Sequence, residues 1–242
     1  MAGTESRDPE LVRTMFGAIS RRYDLLNRVL SLGQDVRWRR RAAAEAVAGL
    51  PPPVSTEIVL DLCGGTGDLA VEIARCRSDI RVICADFAHP MLVRAAAKFA
   101  RRGLAGRCLP LEADALHLPI ADCALGIVTV AFGIRNFSDL DAGLREILRV
   151  LRPGGRLVVL EFSRPTAPLF SRLYAFYLHR VLPRLGDRVS GRRGPYGYLA
   201  RTIADFPEPA MLAGLLRDAG FAAAGWIPLS GGIVCIHTAI KG

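Results

Sequence analysis

The sequence predicts an α/β fold: a Rossmann-like, mostly parallel seven-stranded sheet with a helical N-terminal extension and an antiparallel C-terminal hairpin. Three observations carry this reading. From about residue 57 onward, short apolar runs alternate with segments of helical periodicity. The first such run leads directly into Gly64-Gly65-Thr66-Gly67, and a helical pattern follows at once. Residues 219–240 carry no Lys, Arg, Asp or Glu, yet Pro228, Gly231 and Gly232 interrupt them. That stretch therefore reads as two strands joined by a turn, not as a membrane span.

Composition sets the outer bounds. The chain has 242 residues, 51% apolar and 23% charged, with mean hydropathy +0.26. This excludes a disordered chain and supplies a core. It reads as one domain with four consecutive parts: a helical extension over 1–53, a cofactor-binding core over 54–163, an aromatic and basic insertion over 164–205, and a C-terminal helix and hairpin over 206–242. The opening MAGTESRDPE is polar and has no apolar core, so it does not read as a secretory signal. The 6 cysteines and 4 histidines are scattered without a CxxC pair, and no metal is expected. Cys84 and Cys235 fall in apolar runs and read as buried, reduced thiols. Together these points predict a soluble, cytoplasmic protein.

The elements follow in order. Residues 8–50 read as helical, with Met15, Phe16 and Ile19 on one face and a break at Gly33 before a run over 38–50; Pro51-Pro52-Pro53 closes it. Ile58-Val59-Leu60 is the first strand. Asp68 is placed to cap the next helix, which carries Leu69, Val71, Ile73 and Ala74. A second strand over 81–85 ends at Asp86, a helix covers 90–100, and strands lie near Cys108 and over 125–131. Ser138 and Asp141 resemble a capping box for a helix with Leu140, Leu144, Ile147, Leu148 and Leu151 on one face. Arg152-Pro153-Gly154-Gly155 turns it into a strand over 156–162. An aromatic-rich helix over 168–183, a helix over 211–219 closed by Gly220, and the two last strands complete the chain.

Glycines at the first turn let a ligand approach the backbone closely. Gly65-x-Gly67-x-x-Ala70 also fits the dinucleotide fingerprint, and Asp86 sits where a ribose-binding acid belongs. The loop alone therefore separates neither a nicotinamide enzyme nor an S-adenosylmethionine methyltransferase. Three features favour the second. Asp61 would set a carboxylate where a dinucleotide's pyrophosphate lies, whereas it suits the cationic methionine end of S-adenosylmethionine. Glu112-Ala113-Asp114-Ala115 supplies an acid for the adenine amino group. The segment Leu151-Arg152-Pro153-Gly154-Gly155-Arg156-Leu157 is the turn typical before the fifth strand of class I methyltransferases.

Beyond these motifs, Tyr23-Asp24-Leu25-Leu26-Asn27 with Ser31, Gly33 and Trp38 resembles the N-terminal signature of the ubiquinone/menaquinone biosynthesis C-methyltransferases. Arg149-Val150-Leu151-Arg152-Pro153-Gly154-Gly155 through Leu160-Glu161-Phe162-Ser163 resembles their second signature, and Phe132-Gly133-Ile134-Arg135-Asn136 their motif after the fourth strand. Ser190-Gly191, Tyr198-Leu199, Phe206-Pro207, Ala219-Gly220-Phe221 and Gly231-Gly232-Ile233-Val234 extend the likeness over residues 8–240. The resemblance implies methylation of a ring carbon of a polyprenylated quinol, with cofactor contacts at Thr66, Asp86, Asp114 and Ala115 beside Asp61, Gly65 and Gly67. Two positions depart from the family pattern. Leu26 stands where a Met is usual, and Asp35 where a His is common, which leans towards the menaquinone-type members and a demethylmenaquinol substrate.

Ring-carbon methylation needs an electron-rich quinol, an in-line methyl and a base for the ring proton. Arg135 and Asn136 follow the fourth strand at the sheet's carboxyl edge. An always-charged Arg135 suits stabilisation of a developing phenolate, and Asn136 suits orientation of a water that takes the proton. Tyr23 arrives from the N-terminal extension, which folds over the site. The plainer alternatives are an Arg135 that pairs with an acid and a Tyr23 that only caps the core.

Residues 164–202 contain eight Arg and one Asp, and six of the chain's 17 aromatics. They suit an isoprenoid channel whose arginines rest on anionic lipid at the inner face of a membrane, or a packed insertion with a solvated face. The expected partners are the polyprenylated quinol and a transient membrane surface. No nucleic-acid partner is expected, since Phe-Gly-Ile-Arg-Asn replaces the Asn-Pro-Pro-Tyr type of motif and no RNA-binding module accompanies it. Oligomeric state, a homodimer included, is left open. The alternative functions are tailoring of another phenolic or polyprenyl product, nucleic-acid methylation, and an inactive protein that only binds the cofactor.

Overall fold

The computed structural model describes residues 9–20, 23–50, 56–184 and 195–242. Pro51–Pro53, Ser190-Gly191, and Arg188, Arg192 and Arg193 of the basic insertion lie outside the described residues. Three helices lead: α1 (Pro9–Ile19), α2 (Tyr23–Leu30) and α3 (Gln34–Val47). Gly33, at φ 77°, makes the left-handed turn between the last two, where the sequence predicts a break. Helix α1 ends at Ile19 and α2 starts at Tyr23, with Arg21 and Arg22 outside the described residues.

The core alternates β1 (Glu57–Leu62), α4 (Asp68–Cys76), β2 (Ile80–Asp86), α5 (His89–Arg101), β3 (Cys108–Glu112), β4 (Leu125–Ala131), α6 (Leu140–Val150) and β5 (Leu151–Phe162). Helix α7 (Pro168–Phe176) runs on into a wider turn over Tyr177–Val181. Helices α8 (Pro195–Ala204) and α9 (Pro209–Asp218) precede β6 (Phe221–Leu229) and β7 (Val234–Lys241). The seven strands lie in the order β3-β2-β1-β4-β5-β7-β6. Pairs from β3 to β5 are parallel, and β7 is antiparallel to both β5 and β6. The predicted sheet and its C-terminal hairpin are therefore both present. Chain order reverses between β1 and β4, which opens a crevice at the carboxyl ends of those strands.

Strand periodicity assigns the two faces. Val59 faces α3, α4 and α5 with Trp38, Ala42, Ile73 and Phe99. Leu60 and Leu62 face α6 and α9 with Leu144, Ile147, Leu212 and Leu216. Asp61 falls on the Val59 face and is wholly buried. A third cluster joins Leu26 of α2 to Tyr174, Leu178, Leu182 and Ile203. It binds the N-terminal extension to the insertion.

Three local expectations are corrected. Gly67, not Asp68, is the residue that caps α4, because its φ of 79° makes the turn and Asp68 already lies within the helix. Asp139, not Ser138, caps α6, accepting from the Ala142 N–H at 3.0 Å. Pro153-Gly154-Gly155 lies inside β5 as a bulge: pairing slips from Leu125↔Leu151 to Ile127↔Arg156. The helix α8 is absent from the sequence reading. Cys84, Cys108 and Cys235 are buried, and all six cysteines are free thiols.

Candidate active site

Two cavities open at the carboxyl edge of the sheet. The first, of about 430 Å³, is bordered by the ends of β1, β2 and β3 and by the loop after β4. Gly65, Asp86, Asp114, Ala115 and Asn136 line it, and Arg13, Phe16 and Tyr23 close it from the N-terminal helices.

The backbone at its base is tight. A Cβ on Gly64 would sit 2.5 Å from the Cys84 sulfur and 3.0 Å from the Asp61 carbonyl, so only glycine fits there. Cys63 and Phe132 both adopt positive φ, 55° and 58°. Such strain costs about 1–3 kcal/mol per residue and persists where the fold over-determines it. Here the close approach of β1 and β4 does so: a Cβ on Gly133 would lie 2.3 Å from the Cys63 Cβ.

Asp61 accepts from the Thr129 hydroxyl at 2.9 Å through Oδ1. Its Oδ2 is buried and has no partner within the protein. Burial pushes this carboxyl up to about 7, against the Thr129 bond. An unpartnered buried carboxylate oxygen suits an incoming cation, so the residues fit the ammonium end of S-adenosylmethionine. Asp86 accepts from the Gly65 N–H at 2.9 Å and from the Ala88 N–H at 2.8 Å. Burial raises it to about 6, with those bonds opposing. It thereby fixes the glycine loop while its carboxylate faces the cavity, where ribose hydroxyls can donate to it. Asp114 accepts from the Leu116 N–H at 2.9 Å and stands exposed at the far end, with Ala115 beside it.

Thr66 and Gly67 are placed differently. Gly67 packs beneath α5: a Cβ there would meet the Phe99 ring at 2.5 Å. The Thr66 hydroxyl donates to Asp24 of α2 at 2.5 Å and accepts from Lys98 at 3.2 Å. Lys98 also pairs with Asp24 at 2.7 Å and with Asp68. Helix α2 is thus latched to the glycine loop by a buried lysine, a contact the sequence reading does not include.

The second cavity, of about 630 Å³, lies between α1, α2, α3, α7 and α8. Its wall is aliphatic and aromatic, with Ile19, Trp38, Phe162, Tyr174 and Leu178 among the lining residues. Two buried guanidiniums, Arg39 and Arg135, interrupt it. Arg135 sits in the short helical turn Ile134–Asn136 after β4. It pairs with Glu161 at 2.7 Å, and both side chains are at most 4% exposed. Its guanidinium lies 5.5 Å from the centroid of the Phe162 ring. Burial raises the Glu161 carboxyl, and Arg135 opposes that. The pairing alternative for Arg135 is therefore real, and the sequence reading missed Glu161 as the partner. Asn136 lines instead the first cavity, the more polar of the two and called the polar cavity below, and its Oδ1 accepts from the Tyr198 hydroxyl at 3.1 Å.

The cavities share a wall made of Phe16, Tyr23 and Phe132. Tyr23 packs edge-on to Phe16 with centroids 6.0 Å apart. Burial raises its phenol, while Arg39 and Arg135 act the other way. The structure thus brings Tyr23, Arg135 and Asn136 to one junction with Asp86 on its cofactor side, while Asp61 lies fully buried against Gly64 of the glycine loop and is not among the lining residues of either cavity.

The chain is similar to known proteins over most of its length. The model of the ubiE/COQ5 methyltransferase family matches residues 3–241. A demethylmenaquinone methyltransferase from Thermus thermophilus is 48% identical over 92% of this chain and 98% of its own. One from Deinococcus radiodurans is 46% identical over 90% and 88%. One from Mycolicibacterium vanbaalenii is 46% identical over 97% and 96%. Among solved structures, a putative S-adenosyl-L-methionine-dependent methyltransferase from Methanococcus maripaludis superposes with TM-score 0.61 at 17% identity, covering 92% of this chain and 91% of that one. A SAM-dependent methyltransferase from Thermotoga maritima gives TM-score 0.61 at 19% identity, covering 94% and 100%. These two show the fold.

Proposed function

The chain belongs to the ubiE/COQ5 methyltransferase family, and from that premise we propose that it methylates a ring carbon of a polyprenylated naphthoquinol, demethylmenaquinol, to give menaquinol. The observation that carries this reading is the shared wall. A polar cavity suited to the cofactor and an apolar cavity suited to a quinol with an isoprenoid tail meet at Phe16, Tyr23 and Phe132.

When bound, S-adenosylmethionine would supply an electrophilic methyl for the ring carbon's electron pair, with sulfur as the leaving atom and the ring proton lost to restore aromaticity. The protein supplies position and field. Asp61 would hold the ammonium, Asp86 the ribose and Asp114 the adenine amino group. Gly65 and Ala115 shape the cavity between them, while Thr66 and Gly67 fix the loop. Arg135, itself held by Glu161, stabilises negative charge on the quinol oxygen beside the reacting carbon. Asn136, oriented by Tyr198, holds the water that accepts the ring proton. Tyr23 packs at the junction and sets the approach.

The mouth of the apolar cavity supports contact with a membrane surface. Leu32 is 91% and Phe176 60% exposed there, with Leu173 beside them. Arg172 and Arg180 lie on the same insertion, so anionic lipid is the favoured surface. Among the described residues no helix is long and apolar enough to cross a membrane. Six free thiols support a reducing compartment, hence the cytoplasmic face.

The test is an anaerobic assay with S-adenosylmethionine and two reduced substrates, demethylmenaquinol and a short-tail demethylated benzoquinol. The reading expects methylation of the naphthoquinol. Turnover of the benzoquinol alone contradicts it, and turnover of neither with the cofactor bound points to another phenolic substrate.

A further inference from the structure

The mechanism uses Arg135 and leaves a second buried guanidinium, Arg39 of α3, without a role. Arg39 is 6% exposed and lines the apolar cavity. One of its five N–H groups donates to Asp35 at 2.5 Å. Its guanidinium lies 5.4 Å from the centroid of the Phe132 ring. Arg135 repeats the arrangement over Phe162, and those two rings are in contact, with centroids 4.7 Å apart. Two guanidinium–carboxylate pairs therefore flank one aromatic pair, inside a wall that is otherwise largely apolar. Buried ion pairs add little to stability compared with apolar side chains of the same volume. Two of them converging on one aromatic floor call for a polar, two-ended ligand.

A 1,4-quinol is such a ligand, with oxygens on opposite edges of a flat ring. We propose that Arg39 binds the quinol oxygen remote from the methylated carbon, while Arg135 faces the oxygen beside it. This rests on the quinol-methylation reading above. The sides follow from the neighbours. The turn that carries Arg135 also sends Gly133 and Asn136 into the polar cavity, so Arg135 stands on the cofactor side. Arg39, like Arg135, lines the apolar cavity, but its neighbours on α3, Gln34, Asp35 and Trp38, line that cavity alone. Held at both oxygens, the ring cannot rotate in its plane, and one ring edge is presented to the methyl. Arg39 is thus a specificity-determining residue. Its planar fork suits an oxygen better than a lysine would.

The experiment is a cycle of two variants and two substrates. The substrates are short-tail demethylmenaquinol and the corresponding 3-prenyl-1-naphthol, which lacks only the remote hydroxyl. In the wild-type protein the missing hydroxyl lowers kcat/KM by about 10- to 100-fold through the lost charged hydrogen bond, beyond its intrinsic effect on ring reactivity. Arg39→Gln loses a similar factor on the full quinol, and the extra discrimination against the naphthol disappears to within about twofold. The intrinsic reactivity difference is common to both proteins and cancels. Arg39→Lys keeps the charge, and its discrimination falls between the two. Unchanged cofactor affinity by calorimetry shows that each variant is folded; if Arg39→Gln is not, Arg39→Lys carries the comparison. Discrimination in the folded variants equal to that of the wild type overturns the assignment of Arg39 alone. A wild-type protein that methylates neither substrate overturns the quinol reading itself, and this inference with it.

Discussion

The two cavities on either side of Tyr23 and Phe132 are built in opposite ways. The polar one is made where strands end and loops begin: Gly65, Asp86 and Asp114 act through backbone turns and short side chains within a few residues of β1, β2 and β3. The apolar one has almost no local encoding. Its walls come from α1, α2 and α3 on one side and from α7 and α8 on the other, which are distant in sequence and meet through Leu26, Tyr174 and Ile203. Recognition of a charged, hydrogen-bonding cofactor is written in short motifs, because each polar contact needs a defined backbone geometry. A site for a greasy tail needs only volume and burial, which many arrangements of Leu, Phe and Tyr supply.

The sharpest way to separate the cavities is at Arg135. Arg135→Met leaves the Glu161 carboxylate buried and uncompensated, a loss of about 3–5 kcal/mol of stability. Arg135→Met combined with Glu161→Leu recovers most of that stability in denaturant unfolding. It does not recover turnover, and cofactor affinity stays close to wild type because neither residue lines the polar cavity. A double variant with full turnover would show that the pair is only structural.

A smaller effect probes the polar side alone. Burial lifts Asp61 to about 7, and an incoming ammonium requires its anion. Cofactor affinity therefore rises as pH increases towards 7, by up to about tenfold per pH unit, and levels off above. Stability of the unliganded fold has the opposite sign. The Asp61 contribution is full below the ordinary carboxylate range and is lost as pH rises through about 7. Asp61→Asn removes both dependences near 7 and leaves a lower limb near 6 from Asp86. Calorimetric titrations across this range check it; an affinity in wild type that does not vary with pH would contradict the role of Asp61.

The legibility of the sequence followed the same division. The alternation of strands and helices, the glycine loop, and the acids at the ends of β1, β2 and after β3 could all be read, because each is local. Expectations failed where two local options competed. Ser138 and Asp139 are adjacent candidates for one cap, and only the observed extended backbone at Asp139 selects it. Pro153-Gly154-Gly155 marks a turn in sequence, yet β4 pairs on both sides of it and absorbs it as a bulge. Long-range polar contacts were not legible at all. The Asp24–Thr66–Lys98 latch joins residues 32 and 42 positions apart. Glu161 was within a quoted motif, but its partner lies 26 residues away.

The most direct measurement is a crystal structure with S-adenosylhomocysteine and a short-tail menaquinone bound together. The account predicts the adenosine against Asp86 and Asp114, and the quinone ring on the other side of the Tyr23–Phe132 wall with its tail running out between α2 and α7. In that complex the sulfur faces the methyl-bearing ring carbon across the junction. A quinone ring seated anywhere else, or a cofactor whose sulfur points away from the apolar cavity, would contradict it.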